Sequence, residues 1–211
     1  MKKLFLLACI ACASTVAIAQ AKIVKYFNKL SAEHKHGYGI TFKNGKYKVE
    51  ADTESSIIVD DKNGYLIIED AGTGGGTFVL ELAIFKTAKG DDILAVNNYS
   101  YSGDGKDAGT VSFFDAKNNM ADISMSVWPD MGYIEDLLHN GVTKSDIEPY
   151  ADTEYGYCVL PRVGTTINYY IGFKKLDREC MENNKKACEL QKKLTASKLV
   201  WNKEKILFEL K

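Results

Sequence analysis

The stretch TFVLELAIFKT, Thr77 to Thr87, alternates two sets of side chains. Phe78, Leu80, Leu82 and Ile84 fall on one side, and Val79, Glu81, Ala83 and Phe85 on the other. That is the period of a pleated strand, in which successive side chains point to opposite faces. Lys89-Gly90-Asp91-Asp92 supplies a turn, and Ile93 to Tyr101 returns as a second strand. Gly103-Asp104-Gly105 breaks it, and Val111–Phe114 reads as a third strand. Both long strands carry apolar residues on both sides, which predicts a sheet covered on both faces. Thr77–Asn119 is therefore expected to be the centre of an antiparallel sheet.

Working outward, two hairpins precede this centre. Ile40–Phe42 and Tyr47–Val49 flank Lys43-Asn44-Gly45-Lys46, and Ser56–Asp60 and Tyr65–Glu69 flank Asp61-Lys62-Asn63-Gly64. Asn-Gly between apolar runs is a strong hairpin signal, because both residues tolerate positive φ. Before them, Ile23, Val24, Phe27 and Leu30 share one helical face, so Ala21–Glu33 reads as an amphipathic helix lying on the sheet. After the centre, Ile123, Met125 and Val127 alternate with Asp122, Ser124 and Ser126, which predicts a strand with one wet face. Asp130 can cap a helix carrying Ile134, Leu137 and Leu138, and Gly141 can close it. Thr143–Pro149 reads as one further helical turn. Tyr155–Leu160 pairs with Thr165–Lys174, and Lys198–Trp201 with Ile206–Leu210. Short strands, hairpin turns and no regular strand–helix alternation predict a mainly β, β-rich α+β fold. Its architecture is an antiparallel sandwich or open barrel with two or three short peripheral helices.

Residues 1–19 read as an export signal. Lys2 and Lys3 precede the apolar run Leu4–Ile18, and Ala17-Ile18-Ala19 fits a small-x-small cleavage site. Residues 20–211 are then expected to form one β-rich domain in the periplasm or outside the cell, long enough for a proper core. Leu6-Leu7-Ala8-Cys9 offers a lipid-anchored alternative, weakened by the short apolar run that it leaves. No later run approaches the roughly 18 apolar residues of a membrane-spanning helix. The formal net charge of the whole chain is −1, and no basic cluster interleaves with aromatics, which argues against a nucleic-acid partner.

Cleavage removes Cys9 and Cys12 and leaves Cys158, Cys180 and Cys188 in an oxidising compartment. In one straight helix Cys180 and Cys188 would stand roughly 12 Å apart at about 1.5 Å per residue. A disulfide needs about 4.4–6.8 Å between Cα atoms. The segment is thus expected to be either a helix with two thiols or a hairpin with a bridge at Asn183-Asn184, the bridge preferred. Cys158 reads as a small buried apolar residue.

Candidate chemistry is sparse. The glycines Gly72, Gly74, Gly75 and Gly76 resemble a phosphate loop only superficially, since a strand and not a helix follows them. Asp104 and Asp107 are a candidate calcium site, and Asp60, Asp61 and Asn63 a second, but neither completes the pattern of alternating acids with a distal glutamate. His34, His36 and His139 fall short of a sequence-legible zinc set. No Gly-x-Ser-x-Gly elbow exists, His139 and Cys158 could pair only through the fold, and Glu135 and Asp136 point in different directions on a helix. Trp128, Tyr133, Tyr150, Tyr99 and Tyr101 are the candidate binding residues, because aromatics with a polar tip suit protein, peptide or glycan surfaces. The expectation is an exported, non-catalytic binding or interaction module. An exported hydrolase with scattered active residues and a calcium-stabilised β module are the alternatives.

Overall fold

A computed structural model describes residues 20–51, 53–72, 75–102, 105–129, 131 and 137–211. The expected export signal, Asp104, Asp130, Tyr133, Ile134, Glu135 and Asp136 lie outside them.

The fold is a β-rich α+β sandwich of antiparallel sheets. Its larger sheet contains β3 (Ser55–Asp60), β4 (Tyr65–Asp70), β5 (Thr77–Lys86), β6 (Asp92–Ser102), β8 (Thr110–Asp115) and β9 (Ala121–Asp122), in that order. The two-residue β7 (Gly105–Lys106) pairs with the far end of β6. The smaller sheet is a four-stranded meander of β10 (Glu154–Val159), β11 (Thr166–Phe173), β12 (Ser197–Asn202) and β13 (Leu207–Leu210). A separate hairpin joins β1 (Gly39–Lys43) to β2 (Lys46–Glu50), with Asn44 and Gly45 both at positive φ in its turn.

The alternation in β5 sorts two cores. Leu80 and Leu82 face a layer built from α1 (Lys22–Lys29), with Ile23, Val24 and Phe27 fully buried and the β1–β2 hairpin alongside. Ala83 and Phe85, with Phe113 of β8, face the smaller sheet, where Ile167, Leu199 and Phe208 close the layer. A third cluster, Val142, Ile147, Phe173, Leu176 and Ala187, holds the C-terminal helices to the end of β11.

Five local expectations are refined. Among the described residues there are six short α-helices rather than two or three. The helix expected over Ala21–Glu33 breaks at Leu30, and Ser31 caps the separate α2 (Ala32–Lys35), accepting a bond from the His34 amide. The strand expected at Ile123–Val127 is instead α3 (Ser124–Val127). Asp122 accepts bonds from the Ser124 amide and hydroxyl, and Ile123 and Val127, four apart, share a helical face as readily as a strand face. Met125, opposite them, is 97% exposed. Thr143–Pro149 becomes α4 (Lys144–Ile147), opened by a capping box between Thr143 and Asp146, and runs on into a 3₁₀ helix over Glu148–Thr153.

The fifth concerns the cysteines. The two expected alternatives are combined: α5 (Lys174–Met181) and α6 (Lys185–Lys193) form a helical hairpin, and the Cys180–Cys188 disulfide bridges it at a Cα separation of 4.6 Å. Asn183 takes positive φ to reverse the chain, and the Asn184 side chain caps α6. The straight-helix distance does not apply because the helix ends between the two thiols. No helix among the described residues is long and apolar enough to cross a membrane. The disulfide is compatible with a place outside the cytoplasm.

Candidate functional site

The site follows from how β10 lies on the larger sheet. Gly156 O accepts from the Gly109 amide beside β8 at 3.0 Å. Cys158 O accepts from Asn97 Nδ2 of β6 at 3.0 Å. The Leu160 amide donates to Glu81 Oε2 of β5 at 3.0 Å. Arg162 Nε donates to Asp60 Oδ2 of β3 at 2.9 Å. The edge strand of the smaller sheet therefore crosses the larger one diagonally, from β8 to β3.

Glu81 is the pin of that crossing. It is 2% exposed, and it also accepts from Tyr65 Oη and Asn97 Nδ2, both at 2.9 Å. A buried carboxyl with three donors is a satisfied one, and here the donors come from both sheets. It is sealed from any substrate.

Beyond the diagonal, one corner of the larger sheet is left partly uncovered: Ser56, Glu69 and Tyr101 are exposed, while Val79 between them is buried. The register puts Ser56, Glu69, Val79 and Tyr99 in one row across this face, and Thr77 opposite Tyr101 in the next. Ile58 and Ile67 stand in the row that leads to Glu81. Glu54, Ser55, Ser56, Glu69, Ala71, Thr77 and Tyr101 enclose a cleft of about 390 Å³ there. Tyr157 leans over the edge of β10, with its ring centroid 5.8 Å from Tyr99 and 4.9 Å from Tyr170, the latter pair nearly parallel at 7°. Burial pushes the Tyr157 phenol up to about 12. Burial, then Glu81 and Glu69, raise Tyr99.

Around the sheet edge lies a second cleft, of about 600 Å³, lined by His36, Gly37, Tyr38, Glu50, Ala51, Thr53 and Asp70. Asp70 accepts from Thr53 Oγ1 at 2.5 Å, from the Gly72 amide at 2.9 Å and from Tyr38 Oη at 2.8 Å. Those donors, Thr53 first, hold its carboxyl below the usual range. Burial lowers His36, which rests against Phe78. Among the described side chains neither cleft has a lysine or arginine in its lining; together they present Glu50, Glu54, Glu69 and Asp70. Both volumes lie in the range of about 300–1,000 Å³ usual for ligand sites.

The aromatic candidates do not gather in one place. Tyr99 and Tyr101 reach the uncovered corner. Trp128 packs against the core, 6.0 Å from Phe113 and 6.3 Å from Tyr169 between centroids. Tyr150 stands at the helical end, its hydroxyl 3.3 Å from Glu179 and its ring beneath Lys175. Tyr133 lies outside the described residues.

The metal candidates are engaged otherwise. Asp107 pairs with Lys174 at 2.5 Å and accepts from Ser100 at 3.0 Å, while Asp104 lies outside the described residues. Asp60 binds Asn63 and Arg162, and Asp61 accepts from the Lys22 amide at the start of α1. His34 stacks edge-on against Phe114, and His139 Nε2 lies 3.0 Å from Ser197 Oγ. Cys158 is 3% exposed, and burial raises its thiol far above the range in which a thiolate would form.

Glu69 and Tyr170 enter the site without having been singled out as binding residues. The shared strand side of Tyr155 and Tyr157 was legible; the meeting of Tyr157 with Tyr99 depends on the diagonal, which no local pattern encodes.

No family model and no curated protein matches this chain. Among solved structures it is similar to a domain of an uncharacterized protein from Porphyromonas gingivalis W83, at 10% identity and a TM-score of 0.55, over 90% of this chain and 97% of that one. At that identity the likeness is one of fold.

Proposed function

We propose that the chain is an exported, non-catalytic binding module that holds a protein or peptide ligand at the uncovered corner of the larger sheet. The observation that carries this reading is the half-exposed tyrosine group of Tyr99, Tyr101 and Tyr157 beside an acidic cleft of about 390 Å³. Tyrosines give large contact area at low entropic cost and keep a polar tip for hydrogen bonding. The sequence signature of residues 1–19 supports export, and the disulfide fits an oxidising compartment. Against the hydrolase alternative stand the sealed positions of Glu81 and Cys158.

The test is to probe the purified chain against peptide and oligosaccharide arrays and to titrate the best ligand against Tyr101→Ala. Tyr101 is 37% exposed, so the variant should fold. Binding about tenfold weaker is expected, the size of a modest interface anchor. Binding by oligosaccharides alone, or binding that ignores Tyr101→Ala but is lost in Tyr150→Ala, would overturn the reading.

A further inference from the structure

We infer that the ligand enters as an added β-strand: an extended peptide carrying an apolar residue and, two positions later, a lysine or arginine, paired along the outer edge of β3. This rests on the binding reading above and specifies its mode.

β3 ends the larger sheet. Its ladder to β4 uses one edge; β2 packs nearby with Tyr47 and Val49 in the same apolar cluster as Ile57 and Val59, but among the described residues no further backbone bond reaches Ser55–Asp60. An unpaired row of amides and carbonyls is a template for another strand, and folded proteins usually blunt it with lysine, proline, a bulge or a cover. β3 reads Ser-Ser-Ile-Ile-Val-Asp, with neither proline nor lysine, and Ile58 is 45% exposed. None of its six residues is buried.

Charge along the edge is uneven, and it selects the guest. At the Asp60 end the carboxylate is already tied to Arg162 and Asn63. At the Ser55 end Glu54 and Glu69 are exposed and border the cleft, and Glu50 and Asp70 line the neighbouring one. Ser56 and Ile58 share a face of the sheet, two residues apart. A guest that continues the antiparallel pattern runs opposite to β3, so its residue facing Ile58 precedes by two the residue facing Ser56. The first meets an apolar side chain, and the second meets Glu54 and Glu69. The order is therefore apolar, any residue, basic. Six residues of guest cover the strand, roughly 20 Å at about 3.3 Å per residue. Main-chain bonds give such a complex its affinity and the alternate side chains its specificity.

The test uses a fluorescent peptide, Thr-Thr-Ile-Thr-Lys-Thr-Thr, with two controls: the same composition with Ile and Lys exchanged, and Glu in place of Lys. Anisotropy is read against the full chain, Ile58→Lys and Glu69→Lys, both substitutions at exposed side chains, and amide exchange of Ser55–Asp60 is followed with and without peptide. Expected are saturable, salt-sensitive binding, at least tenfold weakening for both variants and both controls, and slowed exchange on β3. Binding lost in Tyr101→Ala but unchanged in Ile58→Lys, without protection of β3, would overturn strand addition and leave the corner as a binding site. An array ligand for the wild-type chain combined with no affinity for this peptide would also overturn it. Concentration-dependent dimers abolished by Ile58→Lys would assign the edge to a second copy of the chain instead.

Discussion

Glu81 shows at the scale of one residue how a polar group can organise an apolar layer. It interrupts the apolar side of β5, where the alternation alone would place another hydrophobe. Its carboxyl gathers Tyr65, Asn97 and the Leu160 amide, so its removal would leave three buried donors without their acceptor. Each orphaned group costs about 1–3 kcal/mol. Glu81→Ala should therefore destabilise the fold by about 3 kcal/mol or more, read as a lower urea midpoint at unchanged slope. Glu81→Gln, which places a donor among donors, should recover only part of that loss. Glycines matter here in a related way. A Cβ on Gly172 would stand 2.3 Å from the Tyr155 ring, whose hydroxyl is fixed at 2.6 Å to Asp177. Gly172 thus lets a tyrosine lie flat across the paired strand, and that contact is not readable from the glycine alone.

At the scale of the element, the helical hairpin of α5 and α6 is the part most dependent on a covalent bond. Each helix has only two or three turns, below the length at which a helix is stable alone. Their shared apolar contacts are few: Leu176 and Ala187 are buried, with Leu190 and Leu194 packed alongside. The disulfide closes a loop of sequence separation 8 and so stabilises by about 2.5 kcal/mol in the chain-entropy view. Replacing both Cys180 and Cys188 by serine should lower the local stability of this helical hairpin by about that amount. Amide exchange should accelerate in Lys174–Lys193 first and leave β4, β5 and β6 protected. Uniform acceleration across the molecule would contradict this local role. The hairpins β1–β2 and β3–β4 contrast with it: their turn residues and alternating apolar sides specify them without a covalent brace.

For the whole molecule, the sheet-to-sheet contact should govern the response to alkali. Burial raises Tyr65, Tyr99, Tyr155 and Tyr157, and Tyr157 reaches about 12. A raised phenol favours the neutral form in the folded chain. Its stabilisation is complete below the ordinary value of about 10 and is lost as pH climbs through the folded value. Stability should fall between about pH 10 and pH 12, and a subset of the twelve tyrosines should ionise only as the sheets separate. Absorbance of tyrosinate followed beside far-ultraviolet circular dichroism checks this. Early ionisation of all twelve in a folded protein would show that the tyrosine layer is open to water.

Much of this architecture was present in local pattern. The period of two across Thr77–Thr87, the Asn-Gly turns and the apolar faces of α1 and of the last hairpin each depend on neighbours a few residues away. Such signals determined the strands, most turns and a sheet covered on both faces. Ile123–Val127 went the other way because five residues cannot distinguish a period of two from a helical turn, and the two bonds from Ser124 to Asp122 favour the turn. The binding corner was beyond reach for a different reason. Glu69 and Tyr99 share a row through the register of the larger sheet, and Tyr157 meets Tyr99 only because β10 crosses that sheet obliquely. That angle is fixed by long-range bonds to Asn97, Glu81 and Asp60, each between residues tens of positions apart. Sequence alone determined which segments pleat, since pleating is a short-range property of the backbone. Only the tertiary structure decided which part of the pleated surface stays uncovered, since that depends on how two finished sheets pack.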